Sequence, residues 1–282
     1  MKKLLITGAS GFLGSRIRDF YEGQYEICTP SHTEMDITGE EAVLEIFKRE
    51  RPDLAVHCAA VSDTGKCERE PEWSWKINVD GCRNIAKAAK AVGTKCLICS
   101  SDQVYFGSDS EKPHGEDEVL MPENVYGREK LQAEKECLAV NQDCVLLRLA
   151  WMYDIETRND QEHGDFIRTL LAKLKAGEDL SYPVYDVRGI TDVKEVVKNL
   201  QKAFDLPGGV YNFGSPNEYS TYETVRKLFE EVGIDSGKVQ KNEVPFREKP
   251  RNLAMAQEKL NSCGIKFSST LDGLVRKIKN AM

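Results

Sequence analysis

LLITGASGFLG, residues 4–14, stands almost at the start of the chain. Leu4, Leu5 and Ile6 read as a buried strand. The glycines at 8, 11 and 14 then form a G-x-x-G-x-x-G turn that leads into a helical pattern. Such a turn is an anion site, because glycines let backbone N–H groups approach a pyrophosphate and the helix dipole favours negative charge. Glycines also serve plain turns, so the context decides. Downstream, strand-like runs over 25–29, 52–60, 95–100 and 144–149 alternate with helical patterns over 12–21, 38–49, 71–92 and 123–141. Thr38 and Glu41 have capping-box spacing at the start of the second helix. This alternation predicts parallel βαβ units in an α/β, Rossmann-type doubly wound sheet, with Gly8, Gly11 and Gly14 holding a dinucleotide.

After Trp151 the pattern weakens. A helix over 164–177, a short strand SYPVYD, a helix over 192–204, a strand in GGVYNFG and further helices follow. The reading is a dinucleotide-binding domain over 1–155, with 181–205 packing back onto it. A smaller α/β substrate-binding region is expected over 156–180 and 206–282.

The bulk numbers exclude several classes. With 282 residues, 40% hydrophobic and 30% charged, the chain is globular rather than disordered. A net charge of −7 argues against nucleic acid or anionic membrane as partner. No apolar run approaches the ~20 residues of a membrane span, and Thr7-Gly8 interrupts the N-terminal one below signal-peptide length. Nine scattered cysteines suit a reducing cytoplasm. Cys96 and Cys99 have CxxC spacing, but in a strand such positions face opposite ways, so both read as core thiols. No cluster has metal spacing, and no metal is expected; His57 reads as a strand histidine, and His114 and His163 as loop residues. A homodimer is left open.

In ENVYGREKLQAEK, residues 123–135, Tyr126 stands four before Lys130. Positions four apart share a helix face, and this face continues through Ala133, Cys137 and Val140. A lysine on that apolar stripe makes chemical sense beside a nicotinamide. Tyrosine ionises near ~10; an adjacent ammonium can lower that value by ~2–3 and so fit the phenol for proton transfer near neutrality. The bland alternative is a snorkelling lysine. A third group is expected at the end of the fourth strand, ICSSDQVYFG, where Ser100, Ser101 and Asp102 stand. At the end of the second strand, ICTPSHTEMDI has neither the acid of an NAD site nor the arginine of an NADP site. Ser31 and His32, with Arg16 nearby, tilt the choice slightly to NADP over NAD.

TGASGFLG, ICSSDQVYFG and YGREK, in this order, resemble the extended short-chain dehydrogenase/reductase family. HCAAVSDTGKCEREPEWSWKINVDG (57–81) and KPRNLAMAQEKLNSCGI (249–265) are similar to segments of the dTDP-4-dehydrorhamnose reductase group. The resemblance covers essentially the whole chain. It implies Tyr126 as general acid, Lys130 as its tuner and ribose anchor, and Ser101 as the hydroxyl that orients the carbonyl. Gly8, Gly11, Phe12, Leu13 and Gly14 would cradle the pyrophosphate, Asp36 and Ile37 would contact adenine, and Ala59 and Ala60 would line the cofactor cleft. The substrate would be a nucleotide-activated keto-sugar. Arg188 and Arg251, whose guanidinium forks suit a diphosphate, and Trp151 are further substrate candidates. The chain departs from the group at Gln103, Gly65 and Ile190, around the expected pocket. Two rival readings follow: an epimerase or dehydratase without net cofactor consumption, and a binding module like the regulatory subunit of methionine adenosyltransferase.

Overall fold

The structure, a computed structural model, describes residues 1–158 and 165–280; His163 lies outside the described residues. In chain order the elements are β1 (Lys3–Thr7), α1 (Phe12–Tyr21), β2 (Glu26–Cys28), α2 (Glu40–Glu50), β3 (Leu54–His57), α3 (Thr64–Arg69), α4 (Pro71–Trp75), α5 (Cys82–Val92), β4 (Lys95–Ser101), α6 (Val125–Val140) and β5 (Val145–Leu149). Then come β6 (Trp151–Tyr153), α7 (Phe166–Ala176), β7 (Leu180–Pro183), β8 (Asp186–Arg188), β9 (Ile190–Asp192), α8 (Val193–Ala203), β10 (Gly209–Phe213), α9 (Thr221–Val232), β11 (Val239–Asn242), β12 (Arg251–Leu253), α10 (Glu258–Ser262) and α11 (Thr270–Lys279).

Six strands form one sheet in the order β10-β5-β4-β3-β1-β2. β1 pairs in parallel with both β2 and β3, and β3 with β4. The chain therefore reverses its direction of winding between β1 and β3, and the crevice beyond the carboxyl ends of these strands is where such sheets take ligands. Both sheet faces are buried, as parallel sheets require. Leu5, Ala55, Cys96, Ile98 and Leu146 meet Val43 and Phe47 of α2, Ile85 and Ala89 of α5, and Ala133 and Cys137 of α6. Leu4, Ile6, Val56, Leu97 and Leu147 alternate with them along the strands and are buried too.

Two helical expectations change. The helix expected over 71–92 widens into a π-helical turn, Lys76–Gly81, between α4 and α5. Here Asn78 is buried, and a Cβ at Gly81 would come within 2.8 Å of Ile37 Cδ1. The capping box at Thr38 does not form. Thr38 donates its backbone N–H and hydroxyl to Asp36, and α2 begins at Glu40 after Gly39.

The chain divides into two compact units: Met1–Val104 with Pro122–Arg148 and Val197–Tyr211, and Tyr105–Met121 with Leu149–Val196 and the residues from Asn212 onward. The division differs from the expected one. The return to the sheet begins at Val197, not near 181. β7, β8 and β9 each pair with a strand of the second unit, namely β11, β12 and β6. The 105–121 segment joins that unit through His114, whose backbone N–H and C=O pair with Ala254 and Ala256. A separate core fills the second unit: Phe166, Ile167 and Leu170 of α7 meet Val225, Leu228 and Phe229 of α9 and Leu274 and Ile278 of α11.

Candidate active site

The glycine turn has the geometry of a cradle. Gly8 takes a left-handed φ of 66°, and a side chain there would also strike the Ala59 backbone at 2.7 Å. A Cβ on Gly14 would lie 2.2 Å from Gly8 O, so α1 can start this close to β1 only with glycine at that position. Gly11 is the N-cap and offers no side-chain cap. The N–H groups of Phe12, Leu13 and Gly14 lie in the first turn, where a helix has no acceptor of its own. With bare glycine backbone and uncapped donors, the turn fits the diphosphate of a dinucleotide.

On α6 the apolar stripe faces inward as expected, and Tyr126 and Lys130 are both buried. Asn124 caps the helix, its Oδ1 accepting from Gly127 N at 2.6 Å. A Cβ at Gly127 would fall 2.3 Å from Gln103 O, so this glycine lets the head of α6 press against the turn that follows β4. Ser101 ends β4 there, its hydroxyl 3.2 Å from Asp102 Oδ1. Lys130 Nζ donates to Cys99 O at 3.0 Å and lies 5.6 Å from the centre of the Tyr126 ring.

The electrostatics correct the expectation for the phenol. Burial raises the Tyr126 value, with Asp102 and Cys67 adding to it. The Lys130 ammonium and the Ser101 hydroxyl pull it down without prevailing. Tyr126 is a phenol rather than a phenolate at neutral pH. Burial works against the Lys130 ammonium, but Tyr126, Cys82, Cys99 and Glu129 outweigh it, so its value rises and the charge stays.

The sequence did not point to the groups that hold α6 in place. Glu129, buried beside the stripe, accepts from Ser74 Oγ at 2.5 Å and from Asn78 Nδ2 at 2.7 Å. Asn78 also grips both backbone groups of Val61. One turn on, Glu134 accepts from Arg148 Nε and Nη2 and from Ser100 Oγ, tying α6 to β5 and β4. A buried carboxylate without partners would be prohibitive, yet in a linear sequence both glutamates look like exposed helix charges. Asn124, an Asn just ahead of a helical run, was the one available signal.

At the end of β3, His57 Nδ1 lies 2.7 Å from Thr7 Oγ1. Thr7 Oγ1 accepts from the backbone N–H groups of Cys58 and Ala59, so it donates its own proton to His57. The proton of the neutral ring therefore sits on Nε2, which is buried with no partner among the described residues. Burial, helped by Lys130, pushes the His57 value down to about 3.

Other expected residues are scattered. Ala59 is half-buried and Ala60 exposed at the end of β3. Asp36 is exposed and Ile37 buried beyond β2. Arg16 is buried, bonds Phe12 O and lies over the Phe12 ring. Ser31 turns to Glu34, whose carboxylate it bonds at 2.7 Å. In the second unit Arg188 lies over Trp151, 4.7 Å from the ring centre. Arg251 is engaged otherwise, as a bidentate partner of Asp186 at 2.7 and 2.8 Å.

The family model described as RmlD substrate binding domain matches residues 1–280. The chain belongs to this family. Similar proteins include the dTDP-4-dehydrorhamnose reductase of Mycolicibacterium smegmatis (strain ATCC 700084 / mc(2)155), 30% identical over 84% of this chain and 72% of that one. The methionine adenosyltransferase 2 subunit beta of Pongo abelii is 26% identical over 94% of this chain and 83% of that one. Among solved structures, dTDP-4-dehydrorhamnose reductase from Bacillus anthracis str. Ames in complex with NADP superposes with a TM-score of 0.86 at 25% identity, over 100% of both chains. Membership of the RmlD substrate binding domain family agrees with the extended short-chain dehydrogenase/reductase resemblance and with the Rossmann-type sheet.

Proposed function

We propose that this chain is an NAD(P)H-dependent oxidoreductase that reduces a ketone on a nucleotide-activated sugar of the dTDP-4-dehydrorhamnose type. The observation that carries this reading is the buried pair Tyr126–Lys130 facing the end of β4 at Ser101, in a chain whose first turn fits a dinucleotide. NADP is the favoured cofactor, as in the Bacillus anthracis relative. Gly8, Gly11, Phe12, Leu13 and Gly14 would hold its diphosphate, Asp36 and Ile37 its adenosine end, Ala59 and Ala60 its path along the β3 end, and Lys130 its ribose.

Bound there in reduced form, the nicotinamide supplies the hydride. The chain supplies the rest. Ser101 Oγ donates to the carbonyl oxygen and orients it. Tyr126, kept protonated by burial, gives its phenolic proton to that oxygen as negative charge develops on it. Lys130 Nζ, anchored on Cys99 O, stabilises the phenolate left behind. The raised Tyr126 value suits this direction, since a reductase needs an acid at that position. Trp151 and Arg188, stacked on each other, would be candidates for contact with the nucleotide sugar. Arg251 acts there through Asp186, as a clamp of β12 on β8.

The test is a panel of nucleotide 4-keto-sugars mixed with NADPH or NADH, followed by absorbance of the reduced nicotinamide. Stoichiometric oxidation with at least one sugar is expected. Conversion of a sugar without net oxidation would assign an epimerase or dehydratase. A second reading, a regulatory binding subunit, draws on the likeness to methionine adenosyltransferase 2 subunit beta across 94% of the chain. It is favoured if NADPH binds while no keto-sugar is turned over.

A further inference from the structure

Two thiols meet beside Lys130. Cys58 Sγ and Cys99 Sγ are 3.7 Å apart. They come from neighbouring strands in register: His57 is the partner of Ile98, so the next residues on each strand, Cys58 and Cys99, lie opposite one another. The backbone of Cys58 still follows the sheet, its N–H donating to Thr7 O at 3.3 Å. Adjacent strands run ~4.8 Å apart, within the roughly 4.4–6.8 Å Cα separation that a disulfide spans. Both residues are half-buried, whereas Cys67, Cys82, Cys96, Cys137 and Cys144 are buried.

We propose that Cys58 and Cys99 form an oxidisable dithiol, closed to a disulfide by hydroperoxides and reopened by small thiols, and that its closure weakens nicotinamide-nucleotide binding. The second half of this proposal rests on the cofactor reading above; the first does not.

The chemistry is balanced. Cys99 is the attacking sulfur, because the hydrogen bond from Cys58 and the nearby Lys130 ammonium hold its thiol below the ordinary value, and the same bond and burial push Cys58 up. The Cys99 thiolate attacks one peroxide oxygen and the O–O bond breaks. The departing alkoxide takes the proton that Cys99 gave up and leaves as an alcohol, or as water from hydrogen peroxide. Cys58 sulfur then displaces hydroxide from the Cys99 sulfenic acid. Its own proton joins that hydroxide as a second water. Each sulfur is oxidised by one electron and the peroxide is reduced by two.

Closure reaches the site through the backbone. The sulfurs must approach by roughly 1.6 Å, from 3.7 Å to a bond of about 2.05 Å. Cys99 carries the carbonyl that anchors Lys130 Nζ. Ala59, one residue past Cys58, donates its N–H to Thr7 Oγ1. Tightening the strand ends moves both the ribose anchor and the wall under Gly8.

The experiment uses the full chain, reduced and then exposed to hydrogen peroxide. Free thiols are blocked and peptides mapped by mass without reductant, and NADPH is titrated into the reduced and oxidised forms by fluorescence. The expected result is a Cys58–Cys99 linked pair of peptides that dithiothreitol reverses, with a dissociation constant for NADPH raised about tenfold in the oxidised form, or about 1.4 kcal/mol. Cys58→Ala should leave Cys99 as a sulfenic acid trapped by dimedone, and Cys99→Ala should abolish the link. Oxidation of the exposed Cys263 while Cys58 and Cys99 stay unlinked overturns the dithiol. A linked pair with NADPH affinity within twofold of the reduced form overturns its consequence. Reduced protein that binds no NADPH refutes the cofactor reading instead, and the peptide map still decides the disulfide.

Discussion

The inward face of α6 and the Trp151–Arg188 pair are built to opposite standards. On α6 each functional group is buried and fixed by neighbours that are themselves fixed: Lys130 by Cys99 O, the helix by Glu129 on Asn78 and Ser74 and by Glu134 on Arg148. In the second unit, Trp151 is 37% exposed and stacks against Arg188. Proton transfer needs atoms held within tenths of an ångström, and the proposed acid lies where burial removes alternatives. Recognition of a sugar nucleotide tolerates more adjustment, and an exposed aromatic with a stacked guanidinium permits it. Under the proposed function, the contrast separates what the chain does to a substrate from which substrate it accepts.

The sharpest way to break the comparison is Tyr126→Phe. Turnover in the NADPH-oxidation assay should fall by roughly 10²–10⁴, the usual value of a general acid, while NADPH binding by calorimetry persists. Turnover surviving within tenfold would remove Tyr126 from the acid role. Next is the support of the helix. Arg148→Met leaves Glu134 buried and half-partnered and should cost about 3–5 kcal/mol in urea unfolding. A loss under 1 kcal/mol would mean that the pair does not hold α6.

His57 gives a smaller effect with a definite sign. The unfolded chain protonates His57 below its ordinary 6.5, but the folded chain does so only near 3. The folded state therefore binds fewer protons in between. Stability is complete above pH 6.5 and falls on acidification, by at most about 1.4 kcal/mol per pH unit for one group. Between pH 6.5 and the carboxylate range near ~4.5, the wild type should lose up to about 2–3 kcal/mol in urea titrations. His57→Asn keeps an acceptor for Thr7 and should flatten that limb; an unchanged slope would show that His57 is not its source. Smallest is Trp151→Ala. The stacked pair is worth ~0.5–1 kcal/mol at a half-exposed site, so KM for the keto-sugar should rise a few-fold with kcat nearly constant. A collapse of kcat instead would put Trp151 into the chemistry and erase the distinction between the two regions.

Much of the first unit was legible because its signals are local. The glycine spacing of 8–14, the four-residue step from Tyr126 to Lys130 and the serines closing the fourth strand each express one backbone requirement within a few residues. The opposed faces of Cys96 and Cys99 followed from strand geometry: Cys96 joins the core under α2, α5 and α6, and Cys99 turns to Cys58. Arg251 could not be read this way. An arginine near a diphosphate site and an arginine clamped on Asp186 have the same sequence, and strand pairing between β12 and β8 made the choice.

What the sequence by itself determined is the order of the parts: a parallel α/β sheet, a glycine turn for a dinucleotide, and a tyrosine and lysine on one helix face behind a serine. These follow from periodicity and from the few residues that a tight turn admits. Only the tertiary structure decided which charges are buried, and with them the electrostatics. Glu129 and Glu134 became internal braces, and Tyr126 kept its proton because desolvation outweighed Lys130. The register of β3 on β4 brought Cys58 to Cys99 from 41 residues away. Burial and pairing depend on distant residues arriving together, and a linear pattern carries no measure of that distance.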